Sequence, residues 1–221
     1  MMNSNQSFKA RLAEAKLYVI AAPSRAGEGL GSKVQKALAG GAGTDIVQLR
    51  DKFSSPRDLL NSAGALKKIC AAHGALFIVN DHLDIALASG ADGVHLGQED
   101  LPVTEARKLV ENLAPKRDFL IGCSTHSLEQ ALRAEAEGAD YIGCGPIFST
   151  PTKPDYPAQG LKLVQQYREK IHIPFVAIGG IDESNVSQIV QAGARCIAVV
   201  RAVMGASDPE LAARSLIGKF R

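Results

Sequence analysis

The sequence predicts a single (β/α)8 TIM barrel, and three observations support this. Short apolar runs rich in Val and Ile alternate with stretches of helical periodicity along the chain. The apolar runs mostly lack alternating polar residues, which is typical of parallel strands covered on both faces. Eight such strand–helix units follow one another, the number that closes a barrel. A doubly wound open sheet is the structural alternative.

The predicted elements follow in chain order. The strands are expected at 17–22, 46–49, 76–79, 93–96, 119–123, 141–148, 175–178 and 196–200. The clearest helices are expected at 56–72, 83–89, 103–113, 128–138, 161–170 and 184–192. Gly90, Gly138 and Gly193 stand near the expected ends of three helices, where glycine commonly terminates a helix.

The chain is expected to form one domain over 1–221, with a short N-terminal extension before strand one. No Pro/Gly-rich linker divides the sequence. The segment 149–160 contains three prolines but is too short for a linker, so it is predicted to be a long βα loop. All βα loops of a barrel meet on the face that carries active sites.

Composition narrows the functional class. The net charge of +2 gives no sign of broad binding to nucleic acid or to an acidic membrane. The four cysteines are widely spaced and favour buried thiols over a zinc site or a disulfide framework. The polar N-terminus lacks the apolar core of a signal peptide, so a cytoplasmic protein is expected, with small-molecule substrates and a possible homo-oligomeric state.

The second strand ends in a basic pattern. Gln48, Arg50 and Lys52 alternate, so an extended backbone places all three on one face. A half-exposed strand is the simple explanation, but parallel barrel strands have no wet face. Partial desolvation of two cations costs free energy unless a nearby anion compensates their charge, and a bound phosphate or diphosphate would do so. The pattern therefore predicts an anion site.

Acidic side chains follow strands three and four. Asn80 and Asp81 end the third strand, and Asp100 follows the fourth. Asp100 precedes Leu101 and Pro102 and is also a plausible helix N-cap. However, Mg²⁺ is usually held by one or two carboxylates together with substrate phosphates. Asp81 and Asp100 opposite two cations fit a magnesium diphosphate.

Later loops offer further donors. Gly179–Gly180 would let backbone N–H groups approach an anion; a tight turn that needs positive φ is the alternative explanation. The segment 149–153 carries serine and threonine hydroxyls and a lysine ammonium, and Ser124 adds a hydroxyl after strand five. Ser127 is better explained as a helix cap. His126 is a candidate acid/base, although a lone histidine is more often packed or solvated.

These motifs together resemble the thiamine phosphate synthase family, also called thiamine-phosphate pyrophosphorylase. The resemblance runs from the first strand to Val203. It rests on five elements in order, which are Gln48-Leu49-Arg50-Asp51-Lys52, Asn80-Asp81, His95-Leu96-Gly97-Gln98-Glu99-Asp100, Gly145-Pro146 with Thr150-Pro151-Thr152-Lys153, and Ile178-Gly179-Gly180-Ile181.

The resemblance implies a transferase of thiamine biosynthesis that joins hydroxymethylpyrimidine diphosphate to a thiazole phosphate, or to its carboxylate, with Mg²⁺ as cofactor. It implies metal ligands at Asp81 and Asp100 and catalytic roles for Arg50, Lys52, Ser124 and Lys153. The implied substrate-binding residues are Gln48, Leu49, Asp51, Asn80, Thr150, Pro151, Thr152, Gly180, Val200 and Arg201. Of these, Thr150, Thr152, Gly180, Val200 and Arg201 would hold the thiazole phosphate.

The chain departs from the family pattern at several positions. Asp51 stands where Glu is usual, and Ser149 where Pro is usual. Strand one ends in Ala21-Ala22-Pro23 where Thr-Asp is common, so no site residue is expected there. Arg201 stands where Ser is frequent. Two other functions stay open: a thiazole tautomerase-like isomerase that uses His126, and a non-catalytic barrel that binds thiamine precursors.

Overall fold

Eight parallel strands close into a barrel in the computed structural model, which describes residues 6–23, 29–39, 44–150 and 157–220. The strands are β1 Leu17–Ala21, β2 Thr44–Leu49, β3 Leu76–Asn80, β4 Gly93–Leu96, β5 Leu120–Thr125, β6 Tyr141–Cys144, β7 Phe175–Ile178 and β8 Cys196–Val199. β1 pairs with β8 in parallel register, Tyr18 opposite Ala198, so the sheet has no open edge. The predicted barrel is confirmed and the open-sheet alternative is wrong.

Helices pack around this barrel. They are α1 Phe8–Glu14, α2 Leu30–Leu38, α3 Pro56–Ala72, α4 Leu83–Ala88, α5 Val103–Leu113, α6 Leu128–Ala136, α7 Gly160–Lys170, α8 Val186–Ala192, α9 Arg201–Met204 and α10 Pro209–Ile217, followed by a 3-10 turn Gly218–Phe220. Ser127 caps α6 by accepting a hydrogen bond from the Gln130 N–H at 3.2 Å, as the sequence predicts. Across the described residues, no helix combines the length and apolarity needed to cross a membrane.

The predicted strand bounds differ most at β5 and β6. β5 continues to Thr125, whose hydroxyl donates to the Gly143 carbonyl at 2.7 Å and so extends the contact with β6. β6 ends at Cys144 rather than at 148, because Pro146 has no N–H to donate to a sheet. The residues after Cys144 therefore belong to the loop that faces the active-site end.

The apolar core has two layers. The outer layer lies between strands and helices and contains Val47, Leu49 and their neighbours. The inner layer fills the barrel, with Ile46, Ile78 and Leu120 among its buried residues. This division follows from the strand geometry, because successive side chains point to opposite faces.

The N-terminal extension closes the bottom of the barrel. Phe8, Leu12 and Ala15, on and just after α1, pack against the inner layer. The Asp45 carboxylate accepts the Lys16 N–H at 2.6 Å and so ties the end of the helix to the start of β2. With the bottom plugged, the carboxyl ends of the strands form the accessible mouth.

Candidate active site

A cavity of about 480 Å³ opens at the carboxyl ends of the strands. Its volume is in the range of small-molecule sites, and its position is where barrel enzymes carry their active sites. Its wall includes eight of the predicted site residues, which are Gln48, Arg50, Asn80, Ser124, Thr150, Gly180, Val200 and Arg201. Three others, Pro151, Thr152 and Lys153, lie outside the described residues.

The basic pattern after β2 divides between the cavity and its rim. Gln48 and Arg50 line the cavity, as alternation predicts. Because β2 ends at Leu49, the chain has turned by Lys52, whose ammonium lies 3.5 Å from the Asp81 carboxylate. Leu49 itself is fully buried in the outer core, so its backbone is the part that a ligand could reach.

Asp51 stabilises its own loop. Its carboxylate accepts the N–H groups of Phe53 at 3.0 Å and Ser54 at 3.1 Å. These bonds shape the turn that carries Arg50 and Lys52 into place. The predicted contact of Asp51 with substrate stays a prediction.

Asp81 and Asp100 form an acidic pair beside Lys52. β3 and β4 are neighbours in the sheet, and this adjacency brings the two carboxyl groups into contact. Burial raises the pKa of Asp81, and the nearby Asp100 raises it further, while Lys52 and Arg50 lower it. Asp81 also holds a left-handed backbone with φ of 64°, which is unusual outside glycine and frequent at functional sites.

Asp100 is held by its own loop and does not cap the following helix. Its carboxylate accepts the Gly97 N–H at 2.6 Å, whereas the N-cap position of α5 is occupied by Pro102. The capping alternative for Asp100 is therefore wrong. The bond to Gly97 fixes one carboxylate oxygen of the acidic pair.

The opposite end of the cavity is built from the β7 and β8 ends. Gly179 and Gly180 both have positive φ, 106° and 64°. A Cβ on Gly180 would lie 2.7 Å from the Ser149 carbonyl oxygen, so this turn has no room for a side chain. Asn185 donates to the Gly180 carbonyl at 2.8 Å and fixes the loop. Arg201 enters the same wall at the first residue of α9.

His126 lines the cavity between these two ends. Its Nδ1 contacts the Gly145 carbonyl oxygen, which can only accept, so Nδ1 carries the proton. The backbone N–H of His126 donates to the side-chain oxygen of Gln130 at 2.7 Å. The ring is thus held against the β6 end.

Three cavity residues escaped the sequence-based selection. Tyr18, His95 and Tyr141 point into the barrel, where they bond to one another and to Gln48 and Ser124. Each occupies an inward position of its strand. The signal available in the sequence is the alternation along the predicted strand 93–96, which places His95 on the same face as Gly93.

Comparisons with known proteins identify the family of this chain. A family model described as thiamine monophosphate synthase matches residues 17–203. The thiamine-phosphate synthase of Thermosynechococcus vestitus is 47% identical over 99% of this chain, which spans 60% of that relative's length. The thiamine-phosphate synthase of Methanoculleus marisnigri is 51% identical over 81% of this chain and 83% of its own.

A solved structure extends the likeness to three dimensions. The thiamine phosphate pyrophosphorylase from Pyrococcus furiosus superposes with a TM-score of 0.83 at 38% identity, covering 95% of this chain and 96% of that one. The first relative is considerably longer than this chain. The match therefore shows common descent and does not by itself assign the relative's activity to this chain. On the family match and these identities, the chain belongs to the thiamine monophosphate synthase family.

Proposed function

We propose that this barrel is a thiamine phosphate synthase, a transferase that joins hydroxymethylpyrimidine diphosphate to a thiazole phosphate. The carboxylate form of the thiazole is included among its substrates. One observation carries the proposal: a single cavity runs from Arg50, a cation close to the acidic pair of Asp81 and Asp100, to a glycine turn at Gly180 beside Arg201. Two phosphorylated substrates can therefore meet end to end.

The first end suits a diphosphate. Arg50 lines the cavity and can bind phosphoryl oxygens bidentately, while Lys52 stands beside Asp81 at the rim. Asn80 and Gln48 complete this wall with neutral polar groups. We assign Lys153, in the loop beyond Thr150, to the same leaving group on the family resemblance.

The acidic pair fits a magnesium ion. Asp81 and Asp100 are in contact, and burial beside a like charge raises the pKa of Asp81, a repulsion that a cation relieves. Among the described residues no group of three or more His, Cys, Asp or Glu side chains could hold a metal. Two carboxylates leave the other ligand positions to phosphate oxygens and water, the usual arrangement for magnesium. When bound, the ion would neutralise charge on the diphosphate.

The reaction breaks the bond between the pyrimidine methylene carbon and the diphosphate oxygen, and the electron pair leaves with that oxygen. The aminopyrimidine ring delocalises the positive charge on the methylene, and the thiazole nitrogen then forms the new carbon–nitrogen bond. Arg50 and Lys52 stabilise the departing charge. No protein nucleophile is required, and aligning the two substrates can contribute about 7–11 kcal/mol.

The other end suits a monophosphate. The Gly179–Gly180 turn brings backbone groups close to the cavity without a side chain between them, and Arg201 adds a cation. Thr150 and Val200 lie in the same wall. We also propose that the protein works in the cytoplasm, since its four cysteines are buried and free.

A turnover assay tests the proposal. The protein is incubated with both substrates, with and without magnesium, and diphosphate and thiamine phosphate are measured. Magnesium-dependent formation of both products is expected, and Arg50→Ala should abolish most of it without unfolding the chain. Absence of product with correctly folded protein would overturn the proposal.

The isomerase alternative is favoured by one observation. His126 lines the cavity with its Nδ1 fixed as a donor, so in the neutral ring Nε2 is the nitrogen that can accept a proton. The same assay separates the two functions. An isomerase would convert thiazole tautomers without releasing diphosphate, and His126→Gln would stop it.

A further inference from the structure

A continuous chain of hydrogen bonds crosses the inner wall of the cavity from Gln48 to Ser124. Gln48 Nε2 lies 2.8 Å from the Tyr18 hydroxyl, which lies 2.9 Å from the Tyr141 hydroxyl. The Tyr141 hydroxyl lies 3.1 Å from His95 Nδ1. His95 Nε2 then lies 2.9 Å from Ser124 Oγ. Five strands contribute to this chain, from β2 through β1, β6 and β4 to β5.

The chain of hydrogen bonds has one donor-to-acceptor direction, and the amide of Gln48 sets it. An amide N–H can only donate, so the Tyr18 oxygen accepts and its proton goes to Tyr141. Tyr141 in turn donates to His95 Nδ1, which must be unprotonated. The neutral ring then carries its proton on Nε2 and donates to Ser124 Oγ. The Ser124 hydroxyl proton is left to point into the cavity.

The two tyrosines can sustain this direction. Burial raises the pKa of both Tyr18 and Tyr141, so each keeps its proton over the working pH range. The Tyr141 ring stacks at a tilt against His95, with ring centroids 5.4 Å apart. Gly122 lies under the Tyr141 ring, and the space it leaves fixes the ring's place.

The backbone of Ser124 is fixed independently. Gln98 Nε2 donates to the Ser124 carbonyl at 2.6 Å, and Arg133 donates to Gln98 Oε1 at 2.6 Å. The position of Ser124 Cα is therefore set from α6 and the β4 loop. What remains to be set is the rotation of its hydroxyl, and His95 sets it.

We infer that His95 is a positioning residue that holds the Ser124 hydroxyl as a hydrogen-bond donor to an acceptor atom of the pyrimidine substrate. This inference rests on the proposed function, because it assumes that substrate occupies the cavity beside Ser124. It assigns to His95, Tyr141 and Tyr18 a shared task that none of them performs by touching the reacting atoms. Of His95, Tyr141, Tyr18 and Ser124, only Ser124 is assigned a hydrogen bond to the substrate.

Kinetics of His95 variants test the inference. His95→Phe keeps a ring and removes both hydrogen bonds, so kcat/KM should fall about tenfold. His95→Gln places an amide N–H toward Ser124 and should recover part of that loss. In a Ser124→Ala background, His95→Phe should add little further loss, because both changes remove the same interaction. Equal losses in the two backgrounds, or unchanged turnover in His95→Phe, would overturn the inference.

Two tyrosine variants provide the matched control. Tyr141→Phe and Tyr167→Phe each delete a buried hydroxyl with two partners, since the Tyr167 hydroxyl contacts Thr125 at 2.8 Å and the Ser127 carbonyl at 2.9 Å. Both should lower Tm similarly. Turnover should fall in Tyr141→Phe and stay near wild type in Tyr167→Phe. Equal turnover in the two variants would count against the inference.

The histidine tautomer gives a readout that does not depend on activity. In protein with ¹⁵N-labelled histidine at about pH 8.5, above the ordinary histidine pKa, His95 should show an unprotonated Nδ1 and a protonated Nε2. His95→Gln identifies its signals. The opposite tautomer would overturn the inference. A wild-type protein that makes no product would instead refute the proposed function, and the tautomer would still decide the direction of the chain.

Discussion

Replacing Gly122 by alanine tests how closely the barrel interior is packed around Tyr141. An added Cβ would lie 2.2 Å from Tyr141 Cζ and 2.6 Å from its hydroxyl oxygen. Carbon atoms pack at about 3.5–4.0 Å, so the ring would have to move by more than about 1 Å. Tyr141 is buried and hydrogen-bonded to Tyr18 and His95, so a displacement of the ring disturbs both hydrogen bonds.

The expected cost follows from these contacts. Overpacking a core costs about 1–3 kcal/mol, and two disturbed hydrogen bonds add about 1 kcal/mol each. The total is roughly 3–5 kcal/mol, which for a chain of this size lowers Tm by roughly 6–20 °C. Turnover should fall too, because the Ser124 hydroxyl loses its support.

Thermal unfolding followed by circular dichroism measures this effect. Gly64 offers a matched control, because it lies within α3 and a Cβ there would meet nothing within 4 Å. Gly64→Ala should raise stability by about 0.5–1 kcal/mol through helix propensity. If Gly122→Ala unfolded at the same temperature as wild type, the packing argument around Tyr141 would be refuted.

Other predictions concern the two ends of the cavity. Because burial and Asp100 raise the pKa of Asp81, the metal-free fold binds that proton more tightly than the unfolded chain does. The free energy of unfolding of the metal-free protein should therefore decrease as the pH rises from the ordinary aspartate pKa through the raised pKa of Asp81. Asp100→Asn should flatten this decrease in a Tm–pH series and abolish the stabilisation by magnesium; an unchanged slope would contradict the coupling. Arg201→Ser should raise KM for the thiazole phosphate about tenfold with little change for the pyrimidine diphosphate in steady-state kinetics, and an equal rise for both would remove Arg201 from the monophosphate end.

Much of the fold was predictable because its signals are local. Continuous apolar runs indicate strands covered on both faces. These runs predicted the positions of all eight strands to within a few residues. The sequence did not predict that the first helix closes the bottom of the barrel. The packing of Leu12 there depends on contacts with strands far along the chain. The end of β6 was overextended because the apolar run continues past Pro146 to Phe148.

The candidate site was predictable where its residues follow strand ends. Asp81 and Asp100 are brought together because β3 and β4 are neighbours, which the barrel topology already implies. The Tyr18–Tyr141–His95 contacts were not predictable, because they depend on how strands 46 to 123 residues apart in sequence are placed across the barrel. Lys52 shows a further limit: alternation assumes that a strand continues, and β2 ends before this residue.

The central claim is that the two ends of the cavity take different anions. The most direct measurement is a crystal structure of the protein with magnesium and inorganic diphosphate. We expect the diphosphate against Arg50, with the metal between it and the carboxylates of Asp81 and Asp100. Diphosphate and metal bound instead at Gly180 and Arg201, with the acidic pair left without metal, would contradict it.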